Sequence, residues 1–153
     1  MSINRKFLIR SYFLSLITIL ISCKSEKTPK DNTLLCEQLV QMTEDDGKLR
    51  FVINSTQNEE IIDSLWSIQL VIDSINTSKL IEIVKKEGWP NKDKMNCKKM
   101  GAPLVIFRHT PDEFTEEVKE LMENEYKEGR IDYLNYMFID NHLNGRPTDF
   151  LIK

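Results

Sequence analysis

From Thr33 onward the residues predict a mostly α protein, a single compact helical bundle of about five to six helices. Three observations carry that prediction. Apolar residues recur at intervals of three and four along most of the stretch. Helix start and stop signals punctuate it. Five glycines in 153 residues leave no glycine-rich strand pairs and no visible repeat.

Leu35, Leu39 and Met42 mark a first helix, expected to end near Asp45-Asp46-Gly47. Residues 49–53 are then a short apolar patch, and Asn54-Ser55-Thr56 a loop. Ile61, Ile62, Leu65, Ile68, Ile72 and Ile75 predict a long helix with a core face and Trp66 at its edge. Its β-branched content also fits one or two strands. Asn76 or Thr77 would cap a further helix that stops at Lys85-Lys86-Glu87-Gly88-Trp89-Pro90. There Gly88 suits a left-handed cap, Trp89 folds back on the last turn near Ile83 and Val84, and Pro90 cannot continue the helix.

Residues 91–96 read as a polar loop, and 100–107 as an apolar run of either type. Thr110-Pro111-Asp112-Glu113 predicts a helix start, with a Thr cap, Pro at the first position and Glu at the capping-box position. Phe114, Val118 and Leu121 would be its buried face. Glu116, Glu117, Glu120, Glu123 and Glu125 would be its solvated one. Gly129 ends it. Asp132 caps a last helix with Leu134, Met137, Phe138 and Leu143 toward the core, stopped by Asn144-Gly145.

Ahead of this domain, residues 1–22 have the pattern of a signal peptide: Arg5, Lys6 and Arg10, then a mostly apolar run over 12–21. The run is shorter than the roughly 20 apolar residues of a spanning helix. It closes on Leu20-Ile21-Ser22-Cys23, which resembles a bacterial lipobox. The resemblance implies that Cys23 receives a diacylglyceryl group, becomes the first residue after cleavage and carries fatty acyl chains such as palmitate. An ordinary signal peptide or anchor helix is the alternative. Residues 23–32 are polar and read as a flexible tether, leaving 33–153 as the helical domain. Lys24-Ser25-Glu26 faintly resembles the tag that directs some Bacteroidota lipoproteins to the cell surface. A bacterial cell-envelope location follows, with the outer membrane, at its periplasmic or surface face, as the expected anchor.

Cleavage removes three cations and no acids, so the net charge moves from −3 to −6. A mildly acidic chain without a basic stripe argues against nucleic-acid binding. Cys36 and Cys97 either pair as a disulfide, as export allows, or stay as buried thiols.

These landmarks resemble a bacterial family known as domain of unknown function 6624. The resemblance runs from about Leu35 to Pro147. It rests on Asp46 with Arg50, Asp73 with Asn76, the intact Gly88-Trp89-Pro90, His109, Asp140, and Gly145 with Pro147. The family's glutamine before Arg50, the other residues of its histidine element, the arginine after Asp140 and a terminal Tyr-Gly segment are missing. The resemblance implies a shared fold and no activity.

His109 is the sharpest candidate for chemistry, because one histidine serves as acid, base or ligand near neutral pH. Asp46, Arg50, Asp73 and Asp140 are the polar positions that would converge with it. The plainer reading is a hydrogen-bonded histidine bridging helix ends. His109 and His142 are the only histidines, with no His-Glu-x-x-His and no paired Cys-x-x-Cys. The stretch from Asp140 to Gly145 fails as a calcium loop, since His142 replaces an acidic ligand and Leu151 stands where a bidentate glutamate belongs. No metal and no cofactor are expected. A nucleophilic Cys97 beside Lys94, Lys98 and Lys99 is explained as well by a disulfide or a buried thiol. Together these residues point to a lipid-anchored, non-catalytic module for an unknown protein or small ligand. The alternative is an envelope hydrolase built on His109 with a nearby aspartate.

Overall fold

The computed structural model describes residues 32–146. The leader, Cys23, the tether up to residue 31, and residues 147–153 with Pro147 and Leu151 lie outside the described residues. Six α-helices and one 3-10 turn make up the described chain, and no strand occurs among the described residues. The mostly α bundle holds.

Two long helices form its frame. The first, α1 (Thr33–Ser55), runs straight through Asp45-Asp46-Gly47 instead of ending there. Asp46 is buried and accepts from Arg50 one turn on, so the acid that resembled a stop signal is tied into the helix face. The following loop is confined to residues 56–58. Ser55 and Thr56 close α1 with hydroxyls bonded back to Phe51 O and Val52 O.

The second, α2 (Glu59–Glu87), is one helix where the sequence suggested two. Asn58 caps it by accepting from Ile61 N at 3.2 Å, with Glu59 and Glu60 in the first turn. Asn76 and Thr77 are not caps. Both are buried mid-helix, and Asn76 Nδ2 donates to Met42 O of α1 at 3.1 Å. The expected core face of this helix is also corrected. Gln69, Asp73, Asn76 and Thr77 point inward, while Ile61, Ile68, Leu70, Val71 and Ile75 are exposed. Trp66 does sit at an edge, with the Arg50 guanidinium 5.5 Å from its ring.

The predicted corner is where α2 ends. Gly88 (φ 77°, ψ −179°) donates its N–H to Val84 O at 2.9 Å. Its positive φ with extended ψ is a region open essentially to glycine alone. Trp89 packs on the core that holds Ile83 and Val84, its ring 6.1 Å from Phe107. The N–H of Trp89 donates to Glu125 Oε2 at 2.8 Å, and Arg130 grips both oxygens of the same carboxylate. Glu125 is therefore buried, not part of a solvated acidic face. Burial pushes its carboxyl up, but the bonds from Arg130 and the Trp89 N–H, with the charge of Arg130, hold it below the usual carboxylate range.

Short helices α3 (Lys92–Met95) and α4 (Pro103–Phe107) follow, the second of them settling the apolar run as helix. Between them Gly101 lets the chain touch α1. A Cβ there would lie 1.8 Å from Leu39 O, and next to it Ala102 N donates to Thr43 Oγ1 at 2.8 Å. Cys36 and Cys97 are bonded across this junction, with Cα atoms 5.8 Å apart.

The helix start at Thr110 is built differently from the capping box. Thr110 turns its hydroxyl back to Phe107 O, Glu113 accepts from Ser74 of α2, and a 3-10 turn (Asp112–Phe114) leads into α5 (Thr115–Lys127). Val118 and Met122 are the fully buried face of α5, with Phe114 and Leu121 packed beside them. Asp132 caps α6 (Tyr133–Leu143), accepting from Asn135 N at 3.0 Å. Ile139 and Leu143 enter the core there, while Leu134 and Phe138 do not. The core joins Leu39 and Met42 of α1 to Leu80, Ile81, Ile83 and Val84 of α2, covered by α4, α5 and α6. The apolar core residues of α2 lie in its C-terminal half, at Leu80, Ile81, Ile83 and Val84.

Candidate functional site

The site begins with a helical repeat. Asp46 and Arg50 sit four apart on α1, and Gln69 and Asp73 sit four apart on α2, so each pair shares one face of its helix. The two faces meet across the helix pair, and the short α4 then delivers His109 onto the same seam. His109 follows directly on α4, its N–H donating to Ile106 O at 3.0 Å.

Four of the five predicted polar residues come together here. His109 Nδ1 lies 2.8 Å from Asp46 Oδ1, and that oxygen also faces Arg50 Nε at 3.4 Å. Arg50 Nη2 donates to Asp73 Oδ2 at 2.6 Å. Asp73 Oδ1 accepts from Gln69 Nε2 at 2.8 Å. The result is a continuous chain, His109–Asp46–Arg50–Asp73–Gln69, joining the exit of α4 to both long helices. An ionised carboxylate only accepts, so Nδ1 is the donor in this contact and Nε2 is turned away from Asp46. The carboxylates are deeply buried and the His109 side chain is 23% exposed, so the chain opens to solvent at its histidine end.

Asp140 is not brought in. Its Oδ1 accepts from Asn144 Nδ2 at 3.0 Å at the end of α6. His142, two residues on and turned to another side of α6, is held separately: Nε2 meets Thr110 O at 3.1 Å and Nδ1 accepts from Arg146 Nε. Burial lowers its pKa below the ordinary histidine value, against the bond to Thr110.

Gln69 is the member that sequence reasoning missed. It is fully buried, and its Oε1 has no hydrogen-bond partner among the described residues. The signal was present, since Gln69, Asp73 and Asn76 recur at four and three. Among the isoleucines of the same helix, that polar stripe reads as the solvent side. No group of three or more His, Cys, Asp or Glu side chains among the described residues is arranged to hold a metal ion. No helix among the described residues is long and apolar enough to cross a membrane.

Chemically, a buried carboxylate behind a partly exposed imidazole is an arrangement that holds a base in place. The rest of the chain compensates charge, with one guanidinium set between two carboxylates. No family model, curated protein or solved structure matches this chain.

Proposed function

We propose that this chain is a bacterial cell-envelope domain, held at a membrane by acyl groups on Cys23, that binds a partner or ligand without catalysing a reaction on it. The non-catalytic part is carried by one observation. Asp46 and Asp73 spend their bonds on His109, Arg50 and Gln69, inside the fold. Carboxylates paired in this way position helices and have little capacity left for a substrate. The anchor reading is supported by the leader and its Leu20-Ile21-Ser22-Cys23 end, and the Cys36–Cys97 bond suits an oxidising compartment. Kinship with the 6624 family belongs to the same proposal. Asp46, Arg50, Asp73, Asn76 and His109, five of the residues that carry the resemblance, lie along this one seam of the helix pair, while Asp140 and the Gly88 corner lie away from it.

Two measurements test it. Cys23→Ser is expected to abolish labelling of the chain by radioactive palmitate and to move it out of the membrane fraction. Unaltered labelling would remove the anchor. His109→Ala is expected to lower the unfolding free energy by about 1–3 kcal/mol, since it leaves the buried Asp46 Oδ1 with only the longer contact to Arg50 Nε. Unchanged stability would instead favour the second reading, a hydrolase in which Asp46 orients His109 to activate water. The geometry that favours that reading is the 2.8 Å contact at Nδ1 on a ring still 23% exposed.

A further inference from the structure

Along α2, Ile61, Leu65, Ile68, Ile72, Ile75 and Lys79 follow one another at four, three, four, three and four. That is the a/d spacing of a coiled-coil seam. The fold leaves one edge of the seam uncovered: Ile61, Ile68 and Ile75 are 49%, 51% and 48% exposed, while Leu65 and Ile72 are half-buried. Beside it α1 contributes Leu49, so that Leu49, Ile68, Ile72 and Ile75 floor a groove of about 450 Å³ between the two helices, with Lys48 and Lys79 among its lining. Scattered exposed isoleucines need no explanation, but a continuous stripe with helical period does.

We infer that this seam is the interface of a homodimer in which the α2 helices of two copies pack antiparallel. Period 3.5 fits another helix, since only a helix presents knobs at that spacing over the seam's length of about 27 Å. Charge selects a second copy and its direction. Glu59, Glu60 and Asp63 stand exposed at the N-terminal end of the seam with no cation of the seam beside them; at the other end stand exposed Lys79 and Lys48, together with Asp45, which Gln41 holds, and exposed Glu82. None of Glu59, Glu60, Asp63, Lys79 and Lys48 has an ion-pair partner among the described residues. Antiparallel packing sets the acidic end of each copy against the lysines of the other, twice over. Parallel packing would set acid on acid and lysine on lysine. In the antiparallel register Ile68 opposes Ile72 of the second copy, Leu65 opposes Ile75, and the aliphatic stem of Lys79 covers Ile61. Val71, 58% exposed on the flank of the seam, then lies close to the two-fold axis. This inference stands apart from the reading of the polar chain, because it uses none of its residues.

Cysteine cross-linking of the full chain in membranes tests both the contact and its direction. Under mild oxidation Val71→Cys is expected to give a covalent dimer on a non-reducing gel. Ile61→Cys alone is expected to give none above the wild-type background, but to cross-link when co-expressed with Lys79→Cys. Adding Ile68→Lys to Val71→Cys should remove the dimer band, because it places two charges at the centre of the seam. If Ile61→Cys cross-links to itself as readily as Val71→Cys, the helices are parallel and the inference is wrong. If neither Val71→Cys nor the co-expressed pair cross-links, no second copy occupies the seam. The wild-type chain, sized by light scattering after mild detergent extraction, decides independently of any variant. A single-chain mass at every concentration overturns the dimer.

Discussion

Replacing both Cys36 and Cys97 with serine is expected to lower the unfolding free energy by about 4 kcal/mol, the chain-entropy value for a loop of this length. The bond closes 61 residues of sequence separation, from the first turn of α1 to the strap between α3 and α4. That loop holds nearly all of α1 and the whole of α2, so the untethered unfolded chain gains freedom over most of the frame. Domains of this kind are stable by only about 5–15 kcal/mol, so the variant would lose a large fraction of its margin. Urea unfolding of wild type and double variant, with and without reductant, measures it. A difference below about 1 kcal/mol would mean that the unfolded chain is already restrained, or that the bond adds little to the native state.

Asp73→Ala should be comparably damaging, at about 3–5 kcal/mol, the range for removing one partner of a buried ion pair. Asp73 is buried and is the acceptor for both Arg50 Nη2 and Gln69 Nε2. Without it Arg50 keeps Asp46 alone, at the longer 3.4 Å, and the fully buried Gln69 loses its bond from Nε2 while Oε1 already has none. Asp73→Asn, which keeps the shape and an acceptor, should cost clearly less. Chemical denaturation with unchanged m values would establish both numbers. Equal losses for Ala and Asn would show that charge, not hydrogen bonding, holds the seam. A loss under about 1 kcal/mol for Ala would contradict the structural role given to the polar chain.

Much of the architecture was legible because local chemistry controls it. The stop at Gly88 follows from a backbone conformation essentially reserved for glycine, the cap at Asp132 from a carboxylate satisfying an otherwise unpaired N–H, and the mostly α class from apolar spacing with helix start and stop signals and few glycines. The boundaries that misled were places where a distant partner reversed a local preference. Asp45-Asp46-Gly47 has the composition of a turn, yet Asp46 is held in the helix by Arg50 and by His109, 63 residues away. Asn76 has the chemistry of a cap, yet it spends its amide on Met42 O across the helix pair. Glu113 fits a capping box and bonds Ser74 instead, and Glu125 fits a solvated face and is buried under Arg130.

The helical class, the corner at Gly88-Trp89-Pro90 and four of the residues that share the polar chain follow from local residue chemistry and spacing. Which face of α2 is inside is a matter of packing, since a buried stripe of Gln69, Asp73 and Asn76 and an exposed stripe of isoleucines have the same period. Periodicity reports that a helix has two faces. Which of them is covered depends on whether Arg50 and Met42 O arrive to meet the polar groups, and on how far α4, α5 and α6 extend along the frame. Likewise His109 stands beside Asp46, and Asp140 does not, because α4 delivers one to the seam while α6 keeps the other at its own end.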